Sequence, residues 1–337
     1  MSTGTNQSVG EPWRLKPPFT ARTVVIVVIA ALALLWTGQR AEMDRMLAMT
    51  GEAILYSVGL SDDSQVIDGF SKIASEMFPI VIEQRTATAR IEGFNPEDLP
   101  PFAYLETEEV TQQSMDPGSQ EMVSTTETRQ YLIEPFGYAT FVGAKMVETL
   151  EIALWGTIVA VSLSVPLAYF AASNYSPNRW AYFFARGSVS MFRAVPELIS
   201  ALFLVLAYGF GPIAGVLALG IHTAGFLGKF YAEDIENADR KPQEAMQAIG
   251  ANNIKILWTS VLPQVLPQYI AYTLYILDRN VRMATVVGIV GAGGIGQELI
   301  GRYNMYDYGH VGTILLAIFI TVLLLDQIAA SLRRRVL

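Results

Sequence analysis

From Leu198 to Gly228 the chain runs for 31 residues without one Asp, Glu, Lys or Arg. A spanning helix takes about 20 mostly apolar residues, so this stretch is too long for one ordinary span. Gly209-Phe210-Gly211-Pro212 is turn chemistry near its middle. Two helices are therefore expected, the first starting near Val189 and the second ending near Tyr231. Composition points the same way. Hydrophobic residues make up 52% of the 337 and charged residues 16%, against roughly 25% charged in ordinary soluble domains. So few charges cannot cover a soluble globule of this size, and lipid is the expected solvent.

Four further apolar runs complete a six-helix map: Thr23–Gln39, Ile152–Ser173 with a kink expected at Pro166, Ile256–Leu277, and Tyr308–Leu325. The basic flank Arg14, Lys16 and Arg22 also suits a secretory signal, but Thr37-Gly38-Gln39 is a poor cleavage site, so an uncleaved anchor is preferred. Lys and Arg in short loops set orientation. Arg14, Lys16, Arg22, Arg179, Arg186, Arg240, Lys241, Lys255 and Arg333-Arg334-Arg335 all fall on one side if both termini are cytoplasmic. The expected division is a cytoplasmic 1–22, an anchor 23–39, an outer segment 40–141, a membrane core 145–331 with a cytoplasmic loop 232–256, and a basic tail 332–337.

The outer segment is acidic. Residues 41–134 hold 18 Asp or Glu and 5 Lys or Arg, while the whole chain carries a net charge of −8. Asn95-Pro96-Glu97-Asp98-Leu99-Pro100-Pro101 and Met115-Asp116-Pro117-Gly118-Ser119 are turn clusters, and 107–128 is polar enough to be flexible. Ile54–Leu60 and Ile67–Ile82 are apolar enough for short helices on the membrane. Cysteine is absent and there are two histidines, His222 and His310. That excludes thiolate chemistry and disfavours any metal centre. No basic cluster with interleaved aromatics appears, so nucleic acid is not an expected partner.

Between the fourth and fifth spans, Pro242 followed by Gln243-Glu244-Ala245-Met246 predicts a short helix, and Gly250 ends it. Ala245, Ala248 and Ile249 give it a small apolar face. Such a helix either lies solvated in the loop or docks in a partner's groove. Glu244-Ala245-Met246, Gly250 and Leu262-Pro263 resemble the EAA loop of ABC importer permeases, with Met246 and Ser260 departing from the pattern. From Lys145 onward the chain is similar to the permease subunit of phosphonate importers. The matching stretches include Glu148-Thr149-Leu150, Arg193-Ala194-Val195-Pro196-Glu197, Gly220-Ile221-His222-Thr223, Asn280-Val281-Arg282 and Gly291-Ala292-Gly293-Gly294-Ile295-Gly296.

The resemblance implies an all-α integral membrane protein with a type I ABC importer permease core in a bacterial inner membrane. It further implies a second copy of the chain, a cytoplasmic ABC ATPase dimer that holds ATP and Mg, and a periplasmic phosphonate-binding protein. Glu244, Ala245, Ala248 and Gly250 would then couple to the ATPase. No GxxxxGK[ST] phosphate loop occurs in the chain, so no cofactor and no enzymatic activity of its own are expected.

Two constellations lie at membrane depth. Gly291, Gly293, Gly294 and Gly296 satisfy G-x-G-x-x-G, but a membrane helix precedes them where a dinucleotide site needs a strand. A broken backbone facing a cavity, acting as a gate, is the expectation. Arg279, Asn280 and Arg282, with Arg193 and Glu197 one turn apart on the third helix, are costly in lipid and mark a transport path or a structural ion pair. Guanidinium forks suit phosphonate oxygens. The substrate expected is phosphonate, with phosphate, phosphite or another small organic anion as the alternative. Rival classes are a membrane receptor sensing through 41–134 and an NAD-dependent membrane enzyme.

Overall fold

A computed structural model of the chain describes residues 20–115 and 122–336, which fall into two compact units divided after Ala74. The first unit opens with α1 (Ala21–Arg40), where Thr20 caps the helix by accepting the Thr23 N–H. Its 20 residues are about 30 Å long, and the helix is apolar around its whole circumference with no residue buried. The stretch expected as an anchor, 23–39, lies within it. Then follow α2 (Met43–Ser57) and α3 (Gln65–Met77); α2 overlaps the expected Ile54–Leu60 only at 54–57, and α3 covers 67–77 of the expected Ile67–Ile82.

The second unit contains the first departure from the all-α expectation. β1 (Gln84–Ala87), β2 (Tyr104–Met115) and β3 (Met122–Glu134) form an antiparallel sheet in the order β1-β3-β2. The β2–β3 hairpin runs in register from Tyr104↔Ile133 to Met115↔Met122. The segment read as flexible is thus largely strand. Its Thr and Val residues suit a pleated surface, and strand pairing satisfies a backbone that low hydrophobicity alone would leave solvated. Leu132 and Ile133 are buried, while the Arg85 guanidinium pairs with Glu106 and Glu108 and lies over Tyr131. The Asp116-Pro117-Gly118-Ser119 turn lies outside the described residues.

The remainder is a helical bundle. α4 (Gly137–Ala171) begins 15 residues before the expected start at Ile152. Lys145, Glu148 and Glu151 hid that beginning, because ionised side chains end an apolar run without ending a helix. Lys145 and Glu148 satisfy each other at 2.7 Å. The helix that opens the bundle thus begins eight residues before the expected core boundary at 145. The helix continues through Pro166.

The expected third helix is two. α5 (Arg179–Ala194) and α6 (Glu197–Tyr208) meet at 90°, because Pro196 forbids helical backbone at Val195 and has no N–H to extend the ladder. Arg193 and Glu197 consequently sit on different helices, which corrects their placement one turn apart on a single one. The break at Gly209–Gly211 stands where expected, and α7 (Pro212–Asn237) follows it, ending six residues beyond Tyr231. The loop after it starts at 238, not 232.

α8 (Arg240–Ala248) begins two residues before Pro242. α9 (Asn253–Ile256) leads through a π-helical turn, Leu257–Val261, into α10 (Leu262–Gly288). α11 (Ile295–Asn304) and α12 (Tyr308–Val336) close the chain. Among the described residues α1, α4, α7 and α12 are long and apolar enough to cross a membrane, and the bent α5–α6 pair is a fifth candidate. α10, about 40 Å long, is the remaining expected span. Its Asp278, Arg279 and Arg282 make it too polar to stand in lipid alone, and its inward face is covered by the bundle.

α4 and α7 are the centre of that bundle. A Cβ at Gly220 would stand 2.7 Å from Val159, and one at Gly156 would stand 3.1 Å from Leu219. Small residues bring the two backbones together, the usual device where lipid supplies no hydrophobic drive. Tyr231 on α7 and Tyr269 on α10 stack at 3.8 Å. The Tyr269 hydroxyl donates to the Tyr231 carbonyl at 2.7 Å, and the Tyr231 hydroxyl pairs with Thr273.

Candidate functional site: a charged cluster at the α5–α6 break and a presented helix

The Pro196 break places the start of α6 beside α7 and α10. Glu197, in the first turn of α6, shares its two oxygens. Oε1 accepts from Arg279 Nη2 at 3.0 Å, and Oε2 lies 3.1 Å from His222 Nε2. His222 Nδ1 lies 2.9 Å from the Val195 carbonyl. A carbonyl can only accept, so Nδ1 carries a proton and the ring is aimed at Glu197. Arg193, at the end of α5, and Arg279 both lie against Phe226, 4.9 and 5.0 Å from its ring centre. Arg193 Nε is buried without a hydrogen-bond partner, and no carboxylate pairs with Arg193 among the described residues. Two guanidinium charges therefore face one carboxylate. The cluster has an excess of positive charge in a low-dielectric surrounding, where it acts strongly on an anion.

The other charged residues of α10 behave differently. Arg282 pairs back to Asp278 on its own helix at 2.5 and 3.2 Å, and the buried Asp278 is neutralised there. Arg279 and Arg282, expected as neighbours, are drawn into separate ion pairs. Asn280 does not line the cluster, which corrects its place among the path residues. It is 1% exposed, donates to Thr157 at 3.0 Å and accepts from Thr223 at 3.1 Å. It ties α4, α7 and α10 together, and truncating it would leave the Thr223 hydroxyl without its acceptor at about 1–3 kcal/mol, while Thr157 keeps its bond to the Ala153 carbonyl. Sequence reasoning gave His222 a packing role. Nothing short of its spatial neighbours could place it beside Glu197.

The glycine run is a break in the backbone, as expected, but it is packed rather than open to a cavity. Residues 291–296 are all buried. Gly291, Gly293 and Gly294 have φ of +92°, +83° and +70°, which L side chains rarely adopt. Glu148 accepts from the Gly294 N–H at 2.9 Å and Thr149 from the Ile295 N–H at 2.8 Å, so α4 caps α11 with a carboxylate and a hydroxyl. The Gly291 carbonyl accepts from Gly211 at 3.0 Å. A helix, not a strand, precedes the run, so no dinucleotide fold is formed.

At the end of the bundle reached by the C-terminus of α4, α8 is held by its buried face and open on the other. Tyr175 donates to Gln243 Oε1 at 2.8 Å, and Gln243 Nε2 donates to the carbonyls of Ala238 and Asp239. Burial raises the Tyr175 hydroxyl above its ordinary pKa. The helix closes with two backbone bonds, Gly250 N–H to Gln247 and Ala251 N–H to Met246, around Gly250 at φ +83°. This is the Schellman arrangement. Glu244, Ala245, Ala248 and Gly250 are all exposed, and Ile249 is 75% exposed. A cleft of about 200 Å³ beside them is lined by Asn174, Tyr175, Arg240, Gln243, Glu244, Gln247 and Asn253. Among the described residues nothing covers Ala245, Ala248 and Ile249.

A second charged cluster joins α11 to α12. Arg302 bonds Glu298 at 2.8 Å and Asp307 at 3.0 Å, and His310 meets Asp307 at 2.6 Å. Burial acts to raise Asp307, but the bonds from His310 and Arg302 outweigh it and hold its carboxyl below the ordinary range. His310, which carried no sequence argument, is a structural partner here.

Residues 164–337 match the family model described as binding-protein-dependent transport system inner membrane component. The chain is 55% identical over 261 residues to a protein of Stutzerimonas stutzeri named as phosphite transport system permease HtxE, covering 77% of this chain and 100% of that one. It is 43% identical over 119 residues to the cryptic phosphonate transport system permease protein PhnE2 of Escherichia coli K12, covering 35% of this chain and 98% of that one. Among solved structures, an amino acid ABC transporter crystallised with histidines matches with a TM-score of 0.51 at 17% identity, over 59% of this chain and 95% of that one.

Proposed function

Given that the chain belongs to the family of binding-protein-dependent transport inner membrane components, we propose that it is the permease subunit of an ATP-driven importer of phosphonate. The excess positive charge of Arg193 and Arg279 over Glu197 is the observation that carries the substrate class. Phosphonate presents several oxygens with full negative charge, and a guanidinium offers paired donors to them. Arg282 is 46% exposed beside its Asp278 partner, so its guanidinium is reachable although the pair adds no net charge. Gly291, Gly293, Gly294 and Gly296 form the backbone break assigned to the gate, and Glu148 and Thr149 hold it closed against α4 in this state.

The work is done by partners. α8, rigid at Gln243 and bare at Ala245, Ala248 and Ile249, has the form of a coupling helix for a cytoplasmic ATPase, which holds ATP and Mg. Two copies of the chain enclose the path. ATPase closure draws the coupling helices together and opens the path outward to a periplasmic phosphonate-binding protein, and hydrolysis returns it inward. The chain sits in the inner membrane with both termini cytoplasmic, and the acidic 41–134 segment is outside. Phosphite is a second reading, favoured by the identity to the phosphite permease of Stutzerimonas stutzeri over all of that protein's length. Calorimetry of the binding protein against a panel of phosphonates, phosphite and phosphate decides between them. Binding of none of these oxyanions would overturn the substrate class.

A further inference from the structure

We propose that Glu197, clamped by His222, is a resident counter-anion that neutralises Arg279 in the empty path and is exchanged for the substrate oxyanion during transport. The proposal rests on the reading of Arg193 and Arg279 as the anion path.

Three features of the geometry carry it. Glu197 engages Arg279 through one oxygen and one guanidinium nitrogen, not through a two-bond fork. Among the described residues, Arg279 Nη1 and Nε have no acceptor, and the side chain is 27% exposed. One edge of the guanidinium is therefore open to an incoming oxyanion while the other is still held. The second oxygen of Glu197 is already on His222, whose ring is anchored to the Val195 carbonyl. That carbonyl is available because Pro196 ends α5 there. The ring is fixed by its Nδ1–H bond to the Val195 carbonyl, and its Nε2 lies 3.1 Å from Glu197 Oε2 and 3.4 Å from Arg279 Nη2, so it stays beside the carboxylate after Arg279 has released it.

The arrangement answers a physical problem of transport. A buried arginine with no partner is strongly destabilising, yet a site that binds its anion too tightly cannot pass it on. Exchange of one charge-assisted pair for another keeps Arg279 neutralised in both states. It also makes Glu197 a built-in competitor that sets how weakly substrate is held. His222 is a positioning residue in this scheme: it acts on substrate only through Glu197. Arg193, which has no carboxylate of its own, supplies the charge that favours the incoming oxyanion over the resident one.

The test uses the complete importer, permease with its ATPase, in nanodiscs, titrated calorimetrically with methylphosphonate and with phosphite in the absence of binding protein. Glu197→Gln removes the competitor, so the Kd should fall about tenfold while uptake in proteoliposomes slows, because release becomes limiting. His222→Leu removes the clamp and leaves Glu197 on Arg279, so the Kd should rise about threefold. His222→Gln, which keeps a donor toward Glu197, should restore it. Glu197→Asp keeps the charge and provides a second variant should Glu197→Gln assemble poorly; its shorter reach should also lower the Kd. An unchanged Kd in both Glu197 variants, or shifts of the same sign in Glu197→Gln and His222→Leu, overturns the proposal. If Arg279→Lys also binds and transports as wild type, the anion path itself is wrong. If Arg279→Lys alone loses binding, the path stands and only the counter-anion is withdrawn.

Discussion

Glu148, on the fourth turn of α4, accepts a hydrogen bond from the backbone N–H of Gly294 at 2.9 Å, across 146 residues of sequence. With Thr149 on Ile295, this contact locks the turn between α10 and α11 against the middle of the bundle. The turn's glycines leave no room for side chains. A Cβ at Gly296 would lie 2.0 Å from the Thr285 carbonyl oxygen, and one at Gly294 would lie 2.6 Å from Thr149 Oγ1. Gly296→Ala should therefore lower thermal stability in detergent by about 1–3 kcal/mol. Gly301→Ala in the same region, where nothing stands within 4 Å, should be neutral or slightly stabilising. Equal melting of the two variants would remove the packing argument.

Arg279 and Arg282 separate a path from a structural pair. Replacing either with Lys keeps the charge and loses the paired donors, so phosphonate-stimulated ATPase activity should fall while dimer yield in detergent is kept. Lost yield in both Ala variants, with near-normal stimulation in both Lys variants, would make the arginines structural. The reason is that an unpaired buried charge costs about 3–5 kcal/mol.

At the coupling helix, Glu244→Lys and Gly250→Trp should leave the permease in the membrane and disconnect transport from ATP hydrolysis. A reversed charge or an indole cannot enter a groove shaped for a small helix end. Gln243→Ala should do the same from behind, by releasing α8 from Tyr175 and the two carbonyls that anchor it. Wild-type uptake by all three in proteoliposomes with the ATPase would withdraw the assignment.

The Asp307 carboxyl, held below its ordinary value by His310 and Arg302, gives a pH signature with a definite sign. A depressed folded pKa contributes stability that is full above the unfolded value, about 3.9. It is lost as pH falls through the folded value. Stability in detergent should decline more steeply below about pH 4 in the wild type than in Asp307→Asn. Superimposable acid limbs would show that the cluster adds nothing.

Topology is tested by reporter fusions. Those after Ala48 and Gln130 should read as external, and those after Asp239 and Leu337 as internal. An internal signal at Gln130 would overturn the orientation drawn from the Lys and Arg distribution.

Local chemistry in the sequence determined a good deal of this protein. The uncharged runs dictated helices in lipid, Gly209–Pro212 dictated the turn before α7, and Gly250 dictated the end of α8, because each depends on a few adjacent residues. The family motifs marked the chain as a permease for the same reason. Other features were decided by contacts between residues far apart. The early start of α4 rests on Lys145 and Glu148 finding partners, and the acidic hairpin exists because two polar strands satisfy each other's backbone. Asn280 proved to be a fastener among three helices, and His222 a partner of Glu197. A polar side chain in an apolar helix must be satisfied, but its sequence neighbours do not say by what. Only the crossing of α6, α7 and α10 brings the carboxylate, the imidazole and the guanidinium to within 3.4 Å of one another.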